Sequence, residues 1–140
     1  MPRYFCPNCW SDFAEDLATC PRCGVDIHGF WDSKDMVEKL ILALDHPEPE
    51  TPIRAAWILG ERHETRAVGP MIALIGRTQD VYIARGAARA LGEIGTAEAI
   101  RFLETLKAHP ARMVREEAQA ASKKHAAQPA ENRPGTLERR

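Results

Sequence analysis

Long apolar runs are missing from this sequence. No stretch approaches the roughly 20 consecutive apolar residues that a membrane-spanning helix needs, so we expect neither a membrane segment nor a membrane partner. The first residues, Met1-Pro2-Arg3-Tyr4-Phe5, also lack the apolar core of a signal peptide. We therefore expect a cytoplasmic protein whose thiols are reduced.

An excess or a cluster of basic residues is missing as well. The chain has 19 Lys and Arg against 20 Asp and Glu, and its net charge is -1. Proteins that draw affinity from phosphate contacts need clustered Lys and Arg. The charge pattern therefore argues against nucleic acid as a partner.

Cysteine is scarce, but the four cysteines are concentrated in the first 23 residues. They form two knuckles, Cys6-Pro7-Asn8-Cys9 and Cys20-Pro21-Arg22-Cys23-Gly24, separated by ten residues. Zinc takes four tetrahedral ligands, and a two-residue gap lets one tight turn present two thiolates to the same ion. The spacing therefore predicts a Zn²⁺ site with the ligands Cys6, Cys9, Cys20 and Cys23.

Because all four ligands are thiolates, this site has no open position for a substrate or a catalytic water, and we expect it to be structural. Two disulfides, a redox-active CxxC pair and an iron centre are the alternatives. Gly24 allows the left-handed backbone that commonly closes a knuckle. Trp10 occupies the same position in the first knuckle, so we expect that turn to close differently. His28 is expected to be a surface residue.

This knuckle pattern resembles the zinc-ribbon and rubredoxin-like families over about residues 3–28. The resemblance implies a small β module. We expect Phe5, Trp10 and Phe13 to pack around the metal, with a ligand-binding Trp10 as the alternative.

The remainder of the chain repeats with a period near 31 residues, which is typical of helical repeat proteins. Three apolar stripes lie 31 residues apart and predict three first helices: Leu40, Ile41 and Leu44; Met71, Ile72 and Ile75; and Phe102, Leu103 and Leu106. We expect N-caps at Asp32 or Ser33, at Thr51, at Asp80 and at Thr96.

Each stripe is followed by a second motif, an apolar residue, an arginine, small residues and then Leu-Gly. It begins at Ile53-Arg54, at Ala84-Arg85 and, in a degenerate copy, at Val114-Arg115. Small residues let helices approach closely, and we expect the glycine to permit a sharp stop. The segment from about 34 to 124 resembles three HEAT repeats of the phycobilisome-lyase type.

The HEAT resemblance implies that the three motif arginines, Arg54, Arg85 and Arg115, link neighbouring repeats, with ligand contact as the alternative. The predicted fold is mostly α: a short α-solenoid of about three HEAT-like hairpins, preceded by a small zinc-ribbon β module. The predicted units are 1–31 (zinc ribbon), 32–125 (HEAT-like repeats) and 126–140 (a disordered tail). We expect the zinc module to cover the N-terminal end of the stack, with Trp31 as its anchor.

No catalytic constellation is evident in the sequence. It lacks a glycine-rich phosphate loop and a nucleophile elbow. His63-Glu64 invites comparison with deoxyhypusine hydroxylase, a HEAT-repeat enzyme, but the dyad follows Leu59-Gly60 and is expected in a loop. We therefore expect no enzyme but a protein–protein interaction scaffold or adaptor whose partner is another protein, or a second copy in a homodimer. A nucleic-acid-associated zinc-ribbon protein and an accessory subunit of a lyase or modifying enzyme are the alternatives.

Overall fold

The computed structural model describes residues 3–127 of the chain. Two short strands come first. Strands β1 (Tyr4–Phe5) and β2 (Asp12–Phe13) pair antiparallel, with Tyr4 opposite Phe13. Within the described residues seven α-helices follow: α1 (Ile27–Asp32), α2 (Met36–Ala43), α3 (Glu50–Glu61), α4 (Val68–Arg77), α5 (Val81–Ile94), α6 (Ala97–Thr105) and α7 (Arg112–Ala127). Short 3₁₀ turns lie at Thr65–Ala67 and Leu106–Ala108.

Helices α2 to α7 form three consecutive helical hairpins, α2 with α3, α4 with α5, and α6 with α7. The second helices of the hairpins, α3, α5 and α7, stack against one another along the molecule. The predicted stripes supply large buried side chains to one continuous core, among them Leu44, Met71 and Leu103. The mostly α fold with a small N-terminal β module is therefore confirmed.

Two of the four predicted helix starts are confirmed. Asp80 caps α5, where its carboxylate accepts from Tyr82 and Ile83 N–H, and Thr96 caps α6. The other two predictions were wrong. Helix α2 is capped by Asp35, whose side chain and that of Glu38 form a capping box, because α1 occupies the chain up to Asp32.

The start of α3 was also misplaced by the sequence analysis. This helix begins at Glu50 after Pro49, and no side chain caps it. Thr51 therefore lies inside the first turn. Proline fixes φ near the helical value, so Pro49 and Pro52 favour a helical start without a capping side chain.

The Leu-Gly glycines have a different role from the predicted sharp stop. Gly60 and Gly92 lie within α3 and α5, one to two residues before these helices end. A Cβ added to Gly60 would lie 2.9 Å from Ala90 Cα, and one on Gly92 would lie 2.9 Å from Ala121 Cβ. These glycines therefore allow the next second helix to approach closely. Helix α5 ends instead at Gly95, whose φ of 68° is left-handed.

The three motif arginines behave unequally. Arg85 reaches the next hairpin, with its Nε 3.7 Å from Glu117 Oε1. Arg115 donates to the carbonyls of His109 and Pro110, at 2.8 Å each, within its own hairpin. No hydrogen bond or ion pair of Arg54 is found among residues 3–127. The implied ladder between repeats is therefore wrong for Arg54 and Arg115.

Ion pairs of other residues link neighbouring hairpins at about the repeat period. They join Arg66 to Asp35, Arg77 to Asp45, Arg89 to Glu61 and Lys124 to Glu93. The Lys124 ammonium holds the pKa of the Glu93 carboxyl below its usual range. Each pair is at least partly exposed, so each adds little stability by itself.

No helix among residues 3–127 is both long enough and apolar enough to cross a membrane. The predicted unit boundaries at residues 31 and 125 stay predictions. Most of the predicted tail, 126–140, lies outside the residues that the structure describes.

Candidate metal centre and exposed second-helix face

The four predicted ligands, Cys6, Cys9, Cys20 and Cys23, lie together. Their Sγ atoms are all within 4.8 Å of one another. Across the two knuckles, Cys6 Sγ is 3.6 Å from Cys23 Sγ, and Cys9 Sγ is 3.7 Å from Cys20 Sγ. Four sulfurs at about 2.3 Å around one tetrahedral ion would be about 3.8 Å apart. The cluster therefore fits one metal ion and could hold it.

The two knuckles close in the same way, contrary to the sequence prediction. The N–H of Trp10 donates to the Cys6 carbonyl at 2.9 Å, and the N–H of Gly24 donates to the Cys20 carbonyl at 2.9 Å. Both residues are left-handed, with φ of 61° at Trp10 and 80° at Gly24. Trp10 therefore adopts a conformation that is unfavourable for a bulky residue.

Backbone and side-chain amides of the knuckles point at the sulfurs. The Asn8 N–H donates to Cys6 Sγ at 3.4 Å, and the Arg22 N–H donates to Cys20 Sγ at 3.3 Å. The Asn8 side-chain amide crosses to Cys23 Sγ at 3.4 Å. Such donors stabilise thiolates and orient them toward an ion.

The thiols of the cluster differ in acidity. Burial raises the pKa of the Cys6 thiol to about 11. The neighbouring Ser11 hydroxyl and backbone lower the pKa of Cys9 to about 6, and the Asn8 side chain lowers that of Cys23. A cation held by the four cysteines would supply the positive charge that favours ionisation of the buried Cys6 thiol.

All four cysteines are free of disulfide bonds. His28 lies outside the cysteine cluster, with Nε2 3.1 Å from Asp16 Oδ1 on the surface. The sequence analysis therefore placed His28 correctly. Phe13, Val25 and Trp31 pack against the buried cluster of Cys6, Cys20 and Ile27.

The N-terminal module meets the first hairpin at His46, in the loop between α2 and α3. Its imidazole makes edge contacts with Phe5, at 4.4 Å between ring centroids, and with Trp10, at 5.2 Å. Burial lowers the pKa of His46. Trp31, the predicted anchor, packs instead within the module and against Phe30. Phe5 and Trp10 therefore contact the first hairpin. Of the three aromatic residues expected to pack around the metal, Phe13 packs in the N-terminal module.

A second feature, which the sequence analysis missed, lies on the second helices. Trp57 on α3 and Tyr82 on α5 expose 53% and 59% of their surface and line one groove. Single exposed apolar side chains are common, but exposed apolar side chains that share one patch mark interaction sites. The available signal was Trp57 itself, which interrupts the small residues between Arg54 and Leu59-Gly60.

The His63-Glu64 dyad lies past the end of α3, as expected for a loop. His63 is left-handed, with φ of 52°, and Glu64 precedes the 3₁₀ turn at Thr65–Ala67. Among residues 3–127 the cysteine cluster is the group with metal-ligand geometry.

Three stacked hairpins behind a four-cysteine cluster define a helical-repeat protein with a small N-terminal module that could hold a metal. The family model for HEAT repeats matches residues 37–123. Since this match covers more than half of the chain, the protein belongs to the HEAT-repeat family. None of the curated proteins compared with the chain matches it.

Proposed function

We propose that this protein is a non-enzymatic scaffold or adaptor that binds another protein through the face formed by α3, α5 and α7. The proposal rests on Trp57 and Tyr82, which are both more than half exposed on adjacent second helices. Trp and Tyr are enriched among the residues that dominate protein–protein binding energy. Helices that stack in register hold these two side chains on a rigid surface, so less entropy is lost on binding.

The metal in this proposal is zinc, in a structural role, on knuckles of the zinc-ribbon type. Four thiolates and their amide donors suit Zn²⁺, and a fully protein-supplied shell leaves no position for substrate. Zinc would stabilise a module whose own core consists of few residues. A cytoplasmic location belongs to the proposal and is supported by the free thiols.

The assignment of the repeats to the phycobilisome-lyase type is also part of the proposal. It is supported by the apolar-Arg and Leu-Gly motif at Ile53-Arg54 and Leu59-Gly60, and at Ala84-Arg85 and Leu91-Gly92. A non-enzymatic role is supported by the closed sulfur shell and by the position of His63-Glu64 in a turn.

Affinity capture from the source cell tests this proposal. Three baits are compared: the wild-type protein, the double variant Trp57→Ala/Tyr82→Ala, and Met36→Ala. Met36 is a matched control because it is 54% exposed on α2, a first helix. We expect a protein that is retained by the wild type and by Met36→Ala and lost with the double variant. Recovery of the same proteins by all three baits would contradict the proposed face. Light scattering of the purified baits reports whether the retained partner is a second copy.

A further inference from the structure

The groove between α3 and α5 has features that specify what it binds. It encloses about 250 Å³ and is lined by Ile53, Trp57, Tyr82, Arg85, Gly86, Arg89 and Glu117. Apolar and aromatic walls thus lie beside two guanidinium groups. We call this site the α3–α5 groove.

Gly86 lies in the interior of α5, where glycine weakens a helix relative to alanine. At Gly60 and Gly92 close helix packing explains the glycine, since a Cβ would approach neighbouring atoms to 2.9 Å. A Cβ at Gly86 would meet only Ile53 Cγ2, at an ordinary contact distance of 3.9 Å. Packing therefore does not require glycine at position 86. A side chain there would reduce the space in the groove instead.

The two arginines of the groove are held loosely by their carboxylates. Arg85 Nε lies 3.7 Å from Glu117 Oε1, and Arg89 Nη2 lies 3.8 Å from Glu61 Oε1. Both separations exceed the 2.7–3.2 Å of a hydrogen bond, and both arginine side chains are about half exposed. Exposed ion pairs of this kind are weak. A ligand carboxylate that makes bidentate hydrogen bonds to a guanidinium can therefore replace them.

We propose that the α3–α5 groove binds an acidic peptide segment of the partner, with a large apolar side chain over Gly86 and a neighbouring carboxylate on Arg85 or Arg89. The inference rests on the proposed function and names the chemistry of the partner. Two arginines and one glutamate line the groove. Glu61, outside the lining, approaches Arg89 only to 3.8 Å, so the lining itself favours an anionic segment. The C-terminal residues of this chain are less suited, because residues 128–140 carry three arginines and two glutamates.

Selection of a random 12-residue peptide library, displayed on phage, against the zinc-loaded full chain tests the composition of the ligand. We expect enrichment of peptides in which Asp or Glu flanks a large apolar residue. Enrichment of uncharged or basic peptides, or enrichment of none, would overturn the inference.

Fluorescence anisotropy with the most enriched peptide then tests the position of the site. Gly86→Ala should weaken binding at least tenfold, because a methyl group enters the groove. The Tm should rise at the same time, because alanine has a higher helix propensity than glycine. Gly69→Ala is the matched control, since a Cβ there meets nothing within 4 Å, and we expect unchanged affinity. Equal affinity of the Gly86→Ala variant and the wild type would overturn the inference.

Charge variants test the carboxylate contact. At least one of Arg85→Gln and Arg89→Gln, the one that carries the carboxylate, should weaken binding about tenfold and reduce its dependence on salt. Arg54→Gln removes the same charge from an exposed position of α3 that does not line the groove, and it should change affinity less than twofold. Equal effects of the three substitutions would show a nonspecific charge effect and overturn the inference.

The failure of this inference differs from the failure of the proposed function. If capture depends on Trp57 and Tyr82 but the selected peptides are not acidic, only the chemistry of the partner is wrong. If capture does not depend on these aromatics, the proposed face is wrong whatever the library yields. If the protein dimerises and Gly86→Ala abolishes the dimer, a second copy occupies the groove. This result would overturn the inference that the groove binds an acidic peptide.

Discussion

At the residue scale, Trp10 contributes both to the first cysteine knuckle and to the contact with the first hairpin. Its left-handed backbone closes the first metal knuckle, a position that Gly24 fills without strain in the second. Its indole contacts His46 on the first hairpin. The contact with His46 gives a physical reason for a bulky residue where glycine would be easier to accommodate.

The clearest prediction at this scale tests the proposed zinc site at Cys20, which is 1% exposed in the N-terminal module. Cys20→Ser leaves three thiolates and should abolish stoichiometric zinc, because the closed tetrahedral shell loses a ligand. Elemental analysis of the purified protein measures the zinc, and the amide resonances of residues 3–31 report the fold of the module.

Asn8→Ala is the matched control for this substitution. It removes the amide donor to Cys23 Sγ but keeps all four thiolates, so one zinc per chain should remain with an affinity about 10-fold lower. If Cys20→Ser retains one zinc per chain, the assigned ligand set is wrong.

At the element scale, the stack depends on how closely α3, α5 and α7 approach one another. The glycines of the Leu-Gly motif and the alanines opposite them, Ala90 and Ala121, set this distance. Where two helix backbones approach closely, there is no room for a larger side chain. Small residues are therefore required only at these contact positions, and not every glycine of the helices has this role. The alanine-rich composition of the second helices follows from this packing.

Gly60→Ala and Gly86→Ala form a matched pair for testing this requirement. A methyl group on Gly60 would lie 2.9 Å from the Ala90 backbone, so we expect the free energy of unfolding to fall by about 2 kcal/mol. At Gly86 a methyl group meets no close neighbour, and the better helix former should raise this free energy by about 0.5–1 kcal/mol.

Urea denaturation of both variants measures the two changes, with zinc present at saturation. An increase in stability for Gly60→Ala would mean that α3 and α5 are farther apart than the structure has them. A decrease for Gly86→Ala would contradict the open groove beside this glycine.

At the scale of the whole molecule, the rings of Phe5, Trp10 and His46 place the N-terminal module on the first hairpin. Burial lowers the pKa of His46, while the nearby Glu48 carboxylate opposes this shift. A proton therefore binds less readily to the docked imidazole than to a free one. The contribution of His46 to docking is fully present above its ordinary pKa of 6.5 and decreases as the pH falls below that value.

We accordingly predict weaker docking of the module at pH 5.5 than at pH 7.5. Nitrogen-15 relaxation measures docking as the difference in tumbling between residues 3–31 and the helices. His46→Phe keeps a ring at the contact but cannot take up a proton, so docking of this variant should not depend on pH. Zinc content is measured at both pH values as the control. The same pH dependence in His46→Phe and the wild type would exclude His46 as its origin.

The sequence by itself determined the local features of this protein. The two CPxC knuckles identified the four cysteines that converge. The 31-residue period identified three hairpins and apolar stripes that include the buried residues Leu44, Met71, Ile75, Leu103 and Leu106. Both results rest on short-range rules, since a two-residue gap makes a knuckle and an apolar period of 3.6 makes an amphipathic helix.

Only the tertiary structure decided the features that depend on contacts between elements. Trp57, Tyr82 and Gly86 lie in one groove, although they come from two helices. Of the motif arginines, Arg85 alone reaches the next hairpin. The N-terminal module contacts the helices at His46 instead of through Trp31. These residues are distant in the chain or unremarkable in their local pattern. Periodicity indicates which face of a helix is buried, but which neighbour meets a given side chain depends on how the helices stack in three dimensions.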